Sequence, residues 1–234
     1  EINAGILTPE VLWKFGRIGS PSLSPDGKKI AYAVTRFSMD DNRGATSIYV
    51  IPTAGGNPRE LTTYSTNDFS PQWTPDGERI GFLSTRSGTA QLWEIKPNGR
   101  GLKQITNIPD GISHFWYDPT GERLLFAKPV LIDKTLNELH PDKPKSTARI
   151  YNDLMYRHWD SWHEGKYRHL FVAKLGAGKI TEGVDIMEGE PYDSPMAPFP
   201  GIAEVAWSPC GQMVAYTCKK LKGREYTLST NSNI

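Results

Sequence analysis

The sequence predicts an all-β chain: a partial β-propeller of four-stranded antiparallel blades, three complete and a fourth truncated, led by a short N-terminal helix. Three observations carry this. A Pro-containing turn followed at once by a strand-like run occurs four times, at Ser24-Pro25-Asp26-Gly27, Thr74-Pro75-Asp76-Gly77, Asp118-Pro119-Thr120-Gly121 and Ser208-Pro209-Cys210-Gly211. The first three turn glycines lie 50 and then 44 residues apart, the period of a propeller blade. A content of 18 Pro, 22 Gly, 8 Phe, 7 Trp and 10 Tyr favours many short strands joined by turns over a helical protein.

Residues 1–19 form the lead-in. Thr8 suits an N-cap, Pro9 the first helical position and Glu10 the positive end of the helix dipole, which predicts a helix over about Pro9–Phe15. Val11, Leu12 and Phe15 are expected to lie against the first repeat, with Gly16 and Gly19 ending the helix.

Residues 20–234 read as the incomplete propeller, with blades at about 20–63, 69–107, 113–184 and 203–234. Three residues after each turn glycine stand Ile30, Ile80, Leu124 and Val214, and five after it Tyr32, Phe82, Phe126 and Tyr216. Between them lie Ala31, Gly81, Leu125 and Ala215, so period two gives each strand one large face and one mostly small face. Leu23, Trp73, Tyr117 and Trp207 end the strand before each turn, where Pro presets φ, Asp can bond nearby backbone and Gly accepts positive φ. Ser47–Ile51, Gln91–Ile95 and His169–Ala173 read as third strands. The fourth strands are expected to end at Glu60-Leu61-Thr62, Gln104-Ile105-Thr106 and Lys179-Ile180-Thr181.

The interval from Gly121 to Gly211 is too long for one blade and lacks a turn signal for two, so it implies an insertion, 129–168, between the second and third strands of the third blade. A loop of that length is usually functional or disordered, and its aromatic content argues for order. A second irregular stretch, Asp185 to Pro200, joins the third blade to the fourth. The fourth is read as three strands, the last near Tyr226 to Ser229, without an outer strand. An unclosed ring with an exposed strand edge predicts a fragment of a longer protein and self-association through that edge.

The charge balance of 27 basic and 26 acidic residues gives no field that would attract nucleic acid or an anionic membrane, and neither partner is predicted. No stretch approaches the roughly 20 apolar residues that span a bilayer, and the start Glu1-Ile2-Asn3 has no signal-peptide pattern. Cys210 and Cys218 sit at opposite ends of one expected strand, too far apart for a disulfide. His158 and His163 lack the HExxH spacing, and there is neither a GxSxG nucleophile elbow nor a glycine-rich phosphate loop. No catalytic residue, metal site or cofactor is therefore assigned.

The insertion holds the candidate site. Arg157, Trp159, Asp160, Trp162 and Glu164 combine flat apolar walls with charges that can pair with a substrate terminus. The competing structural role is that the aromatics pin the insertion to the propeller while Arg157 and Asp160 pair with each other.

The repeat Ser-Pro-Asp-Gly, apolar strand, Thr-Arg, Ile-Tyr-Val, Gly-Gly, Leu-Thr resembles the propeller repeats of TolB-like proteins and of the prolyl oligopeptidase family. The opening Leu7-Thr8-Pro9-Glu10-Val11-Leu12-Trp13, the insert Asp153-Leu154-Met155-Tyr156-Arg157-His158-Trp159-Asp160 and the ending Tyr226-Thr227-Leu228-Ser229-Thr230-Asn231-Ser232 are similar to the dipeptidyl peptidase V and acylaminoacyl peptidase branch. That resemblance implies a parent serine exopeptidase acting on the N-terminus of short peptides. Its propeller would gate and orient the substrate, and its C-terminal α/β-hydrolase domain, with a Ser-Asp-His triad, is absent from this chain. It also favours a periplasmic or secreted setting. On the same basis Asp160 and Glu164, with Arg157, Trp159 and Trp162, would hold the peptide's amino end. A TolB-like module that binds a protein partner and a purely structural fragment remain the alternatives.

Overall fold

The computed structural model describes residues 6–63, 66–176 and 178–234. They form two compact units, Glu1–Ser113 with Leu175–Glu182, and His114–Lys174 with Gly183–Ile234.

The first unit begins with α1 (Pro9–Lys14), where the Thr8 hydroxyl accepts the Val11 N–H at 3.3 Å. The helix packs through Trp13, edge-on to Phe37 at a 5.1 Å centroid distance, while Leu12 and Phe15, expected against the repeat, are exposed. Phe15 already has extended geometry and Gly19 lies inside β1 (Arg17–Leu23), so Gly19 does not end the helix. The first sheet runs β1, β2 (Lys29–Ser38), β3 (Arg43–Pro52) and β4 (Arg59–Glu60); the second runs β5 (Asp68–Trp73), β6 (Ile80–Ser87), β7 (Thr89–Ile95) and β8 (Lys103–Gln104). Both are sequential antiparallel meanders.

Large and small faces explain how these sheets stack. Ala31, Ala33, Ile48 and Val50 of the first sheet share one core with Ile80, Phe82 and Ile95 of the second. The small face of one blade thus receives the large face of the next. Complete burial of a side chain such as Phe82 is worth about 1.5–3 kcal/mol. The threonines that close the fourth strands reach back to the third: Thr62 Oγ1 accepts the Ile48 N–H at 3.0 Å, and Thr106 Oγ1 accepts the Leu92 N–H at 2.8 Å.

In the second unit β9 (His114–Tyr117) and β10 (Arg123–Leu131) are followed by α2 (Leu136–Leu139), the small hairpin β11 (Arg157–His158) and β12 (Ser161–Trp162), then β13 (Lys166–Lys174) and β14 (Val184–Asp185). The main sheet has the order β14-β13-β10-β9. Strands β10 and β13 stay paired out to Leu131 and Lys166, so the loop proper is shorter than the expected insertion and covers 132–165. A 3-10 turn (Ile202–Glu204) leads to β15 (Val205–Trp207) and β16 (Val214–Tyr216), a two-stranded sheet. Val205, Trp207, Val214 and Tyr216 pack on Leu125, Ala127 and Leu170, again large face on small.

Two strand assignments are corrected. The expected fourth strand of the third blade, Lys179-Ile180-Thr181, instead bonds within the first unit: the Ile180 N–H donates to Ile105 O at 2.8 Å, and the Ile180 carbonyl accepts the Asn107 N–H at 2.7 Å. The real fourth strand is β14 (Val184–Asp185), and just after it Ile186 N–H meets Leu170 O at 3.0 Å, as Leu61 meets Ile48 and Ile105 meets Leu92. Tyr226 to Ser229, expected as a strand, falls largely in α3 (Gly223–Leu228), whose C-terminal carbonyls of Tyr226 and Ser229 are capped by the Lys219 ammonium.

All four turns take the expected form, with φ of 70°, 72°, 74° and 70° at Gly27, Gly77, Gly121 and Gly211. Asp26 accepts from Ser24 Oγ at 2.6 Å and Lys28 N–H at 3.0 Å, and Asp76 repeats this with Thr74 and Glu78. In the third turn the leading Asp118 takes over, accepting from Thr120, Glu122 and Arg123. In the fourth Cys210 stands in the aspartate's place, 3.3 Å from Ser208 Oγ. Both cysteines are free thiols.

Candidate functional site

The insertion is ordered by its own hydrogen bonds. Gly165, at φ +72°, turns its carbonyl to accept from both Ile132 and Asp133, and a Cβ there would lie 2.7 Å from Asp133 O. Only glycine fits this close approach in left-handed geometry. Tyr167 OH donates to Asp133 at 3.0 Å; burial first, and then that carboxylate, push the phenol's pKa well up. A capping box of Thr135 and Glu138 starts α2.

The hairpin β11/β12 pairs Arg157 with Trp162 and His158 with Ser161, leaving Trp159 and Asp160 as its two-residue tip. The register brings the Arg157 guanidinium over the Trp162 ring at 4.9 Å. Tyr151 stacks on Trp162 at 5.8 Å and 14°, Tyr156 lies 6.4 Å from the same ring, and Arg149 approaches it at 5.5 Å. Glu164 joins this platform through Arg149, at 3.3 Å. Arg157, Trp162 and Glu164 are therefore assembled together.

Trp159 and Asp160 are placed differently. Trp159 has φ +46°, a conformation that bulky residues rarely adopt, and its indole is 73% exposed with its edge against Phe199 at 5.5 Å. Arg157 does not pair with Asp160: its Nε donates to Trp159 O at 2.8 Å. Asp160 is exposed, accepts only from Ser161 Oγ at 3.2 Å and has no cationic partner among the described residues. Sequence reasoning missed Arg149, Tyr151 and Tyr156 as platform members. Their positions follow no helix or strand period, and only the aromatic density of the segment hinted at them.

The connector that follows β14 is fixed to β13. Asp193 accepts the Arg168 N–H at 2.8 Å, Ser194 N–H donates to Arg168 O, and Arg168 Nη1 donates to Pro195 O at 2.7 Å. Buried His169 bonds Asp185 at 2.8 Å and Glu190 O at 2.7 Å. Burial raises the Asp193 carboxyl above its usual range despite the Arg168 bond. Beside the hairpin, between the connector and the C-terminal segment, lies a cavity of about 320 Å³ with Met155, His158, Met196 and Tyr226 in its wall.

Residues 9–142 match the TolB beta propeller domain. The chain belongs to the TolB beta-propeller family. It is 41% identical over 97% of its length to "Dipeptidyl-peptidase 5" of Porphyromonas gingivalis, and 38% identical over 99% to the protein of that name from Porphyromonas endodontalis. The match occupies 33% of each, so the chain spans about a third of the length of these curated relatives. Among solved structures, "Pyrococcus horikoshii acylaminoacyl peptidase" aligns with a TM-score of 0.57 at 16% identity, over 78% of this chain and 27% of that one. That likeness shows the fold. The resemblance to the peptidase branch holds in the named relatives: the chain is similar to a propeller segment that makes up about a third of the proteins named dipeptidyl-peptidase 5.

Proposed function

We propose that this propeller segment gates and orients short peptides for the hydrolase domain of a serine exopeptidase that releases dipeptides or acylated residues from a peptide's N-terminus. The observation that carries the reading is the hairpin: where the blade repeat breaks, it bears an aromatic and guanidinium platform on its strands and at its tip a carboxylate, Asp160, with no cationic partner among the described residues. Such a carboxylate favours a substrate ammonium, while Trp162, Tyr151 and Tyr156 offer flat apolar surface for the adjoining residues. Glu164 is the second acidic contact, shared with Arg149. The names of the relatives support the peptidase class.

The test is kinetic, in the full-length enzyme. An exposed ion pair is worth about 0.2–1 kcal/mol, so Asp160→Ala or Glu164→Ala should raise KM for a dipeptide-releasing substrate by roughly 1.5- to 5-fold, with kcat little changed. Unchanged kinetics in both variants overturns the assignment. The family match also supports a second reading, a TolB-like module that binds a protein partner. A GxSxG-bearing hydrolase encoded in the same reading frame favours the first, and its absence the second.

A further inference from the structure

Arg157 stands on the hairpin to which an ammonium is assigned above, yet a guanidinium repels an ammonium. Its contacts fit it for a different ligand group. The guanidinium is fixed at two places: Nε donates to Trp159 O at 2.8 Å, and the guanidinium carbon lies 4.9 Å from the centre of the Trp162 ring. The side chain is exposed, and its two terminal Nη groups meet no acceptor among the described residues. Arg149, the other guanidinium over that ring, is already paired with Glu164 at 3.3 Å. An arginine fork held in one orientation with its outer donors open is pre-organised for the two oxygens of a carboxylate. The residue that anchors it is itself unusual. Trp159 is the first residue of the two-residue tip and has φ +46°, where glycine is the favoured residue, and its indole is 73% exposed, so burial does not explain the choice. Backbone strain of this kind gathers at ligand clamps.

We infer that Arg157 binds the carboxylate of a dipeptide whose ammonium Asp160 holds, so that the hairpin takes the released product by both ends and the product inhibits the enzyme. Hydrolysis adds water across the scissile peptide bond: the dipeptide leaves with a carboxylate where the substrate had an amide, and the remainder of the peptide keeps the amine. Arg157 thereby tells product from substrate, meeting an anion in the one and a neutral peptide unit in the other. The spacing agrees. Arg157 pairs with Trp162, two residues beyond Asp160 on the return strand, which is about 7 Å at roughly 3.4 Å per residue, and two extended peptide residues also reach about 7 Å. The choice of a dipeptide rests on the function proposed above, whereas the preference for a carboxylate rests on the contacts of Arg157 itself.

Isotope-labelled tryptophan reports binding by nuclear magnetic resonance on the chain itself. Titration with glycyl-leucine should shift the Trp159 and Trp162 indole signals saturably, with an affinity about fivefold above that of glycyl-leucine amide, which has the ammonium but no carboxylate. Glycyl-glutamate α-amide, whose one carboxylate is on the side chain, should bind no better than the leucine amide. Trp73 and Trp116, buried with their indole N–H groups bonded to Ser22 O and Ile202 O, should stay in place and report that the chain is folded. Arg157→Gln should bring glycyl-leucine down to the affinity of its amide, and Arg157→Lys, which keeps the charge but not the fork, should retain part of the difference. Equal affinity for glycyl-leucine and its amide, a glycyl-glutamate α-amide that matches glycyl-leucine, or a preference that survives in folded Arg157→Gln overturns the inference. In the full-length enzyme glycyl-leucine should inhibit competitively, and Arg157→Gln should weaken that inhibition about fivefold. The two proposals fail in different ways. An unchanged KM for Asp160→Ala and Glu164→Ala beside an intact carboxylate preference overturns the amino-end reading and leaves the Arg157 contact standing; a raised KM beside no carboxylate preference does the reverse.

Discussion

At Asp193 burial holds the proton on, whereas at Asp26 and Asp76 hydrogen bonds from the Ser24 and Thr74 hydroxyls push it off. The signs of their pH effects are opposite. The turn aspartates stabilise the fold fully above the unfolded value of about 3.9, and that contribution is lost as pH falls through their lower folded values. Asp193 keeps its proton in the fold after the unfolded chain has released it, so stability falls as pH rises from about 3.9 through its raised folded value. Asp193→Asn keeps an acceptor for the Arg168 N–H and should abolish that second slope while leaving the acid-side loss intact, as read from urea midpoints on both sides of about pH 4. An unaltered profile would sink this account. At the same scale, the gathering of Arg157, Trp162 and Glu164 around one indole was foreshadowed by the aromatic and charged residues that crowd their stretch. That Arg157 caps Trp162 instead of pairing with Asp160 was not, since it depends on the register of a two-residue hairpin.

The strands themselves were largely legible. Leu23, Trp73, Tyr117 and Trp207 end β1, β5, β9 and β15 as the turn spacing required. The fourth strand of the third blade was misplaced because Lys179-Ile180-Thr181 copies the local pattern of Gln104-Ile105-Thr106, while the actual choice is made by the distant Leu170 carbonyl, which bonds Ile186. The helix at Gly223–Leu228 was missed for a related reason: it is held by Lys219 from outside the element. Valine substitutions test this assignment. Thr62→Val and Thr106→Val each strip a buried third-strand N–H of its acceptor and should cost about 1–3 kcal/mol in urea unfolding. Thr181→Val, at an exposed position outside any such pairing, should stay within about 0.5 kcal/mol. Equal losses at all three would restore the original strand.

Within each unit the stacking of large faces on small ones leaves one face uncovered, and the two uncovered faces are unlike. In the first unit the large face of β2, with Ile30 and Tyr32, is only half-buried, and Ile18 and Leu23 beside it are exposed. In the second unit the small face of the last sheet, with Ala206 and Ala215, is exposed. These match as the faces inside each unit do. Contact between copies would therefore be head to tail, which does not close on itself as a two-fold contact does. Light scattering on the isolated chain should show a mass that climbs with concentration, and a monomer mass throughout would refute the expectation.

The bridge of Ile180 to Ile105 and Asn107 has a consequence for the order in which the protein is made. The outer edge of the second sheet waits on residues 75 positions further along the chain. At roughly 5–20 residues per second, a ribosome needs about 4–15 s to cover that gap. During that interval the outer edge of the second sheet stands without the two hydrogen bonds that Ile180 later supplies.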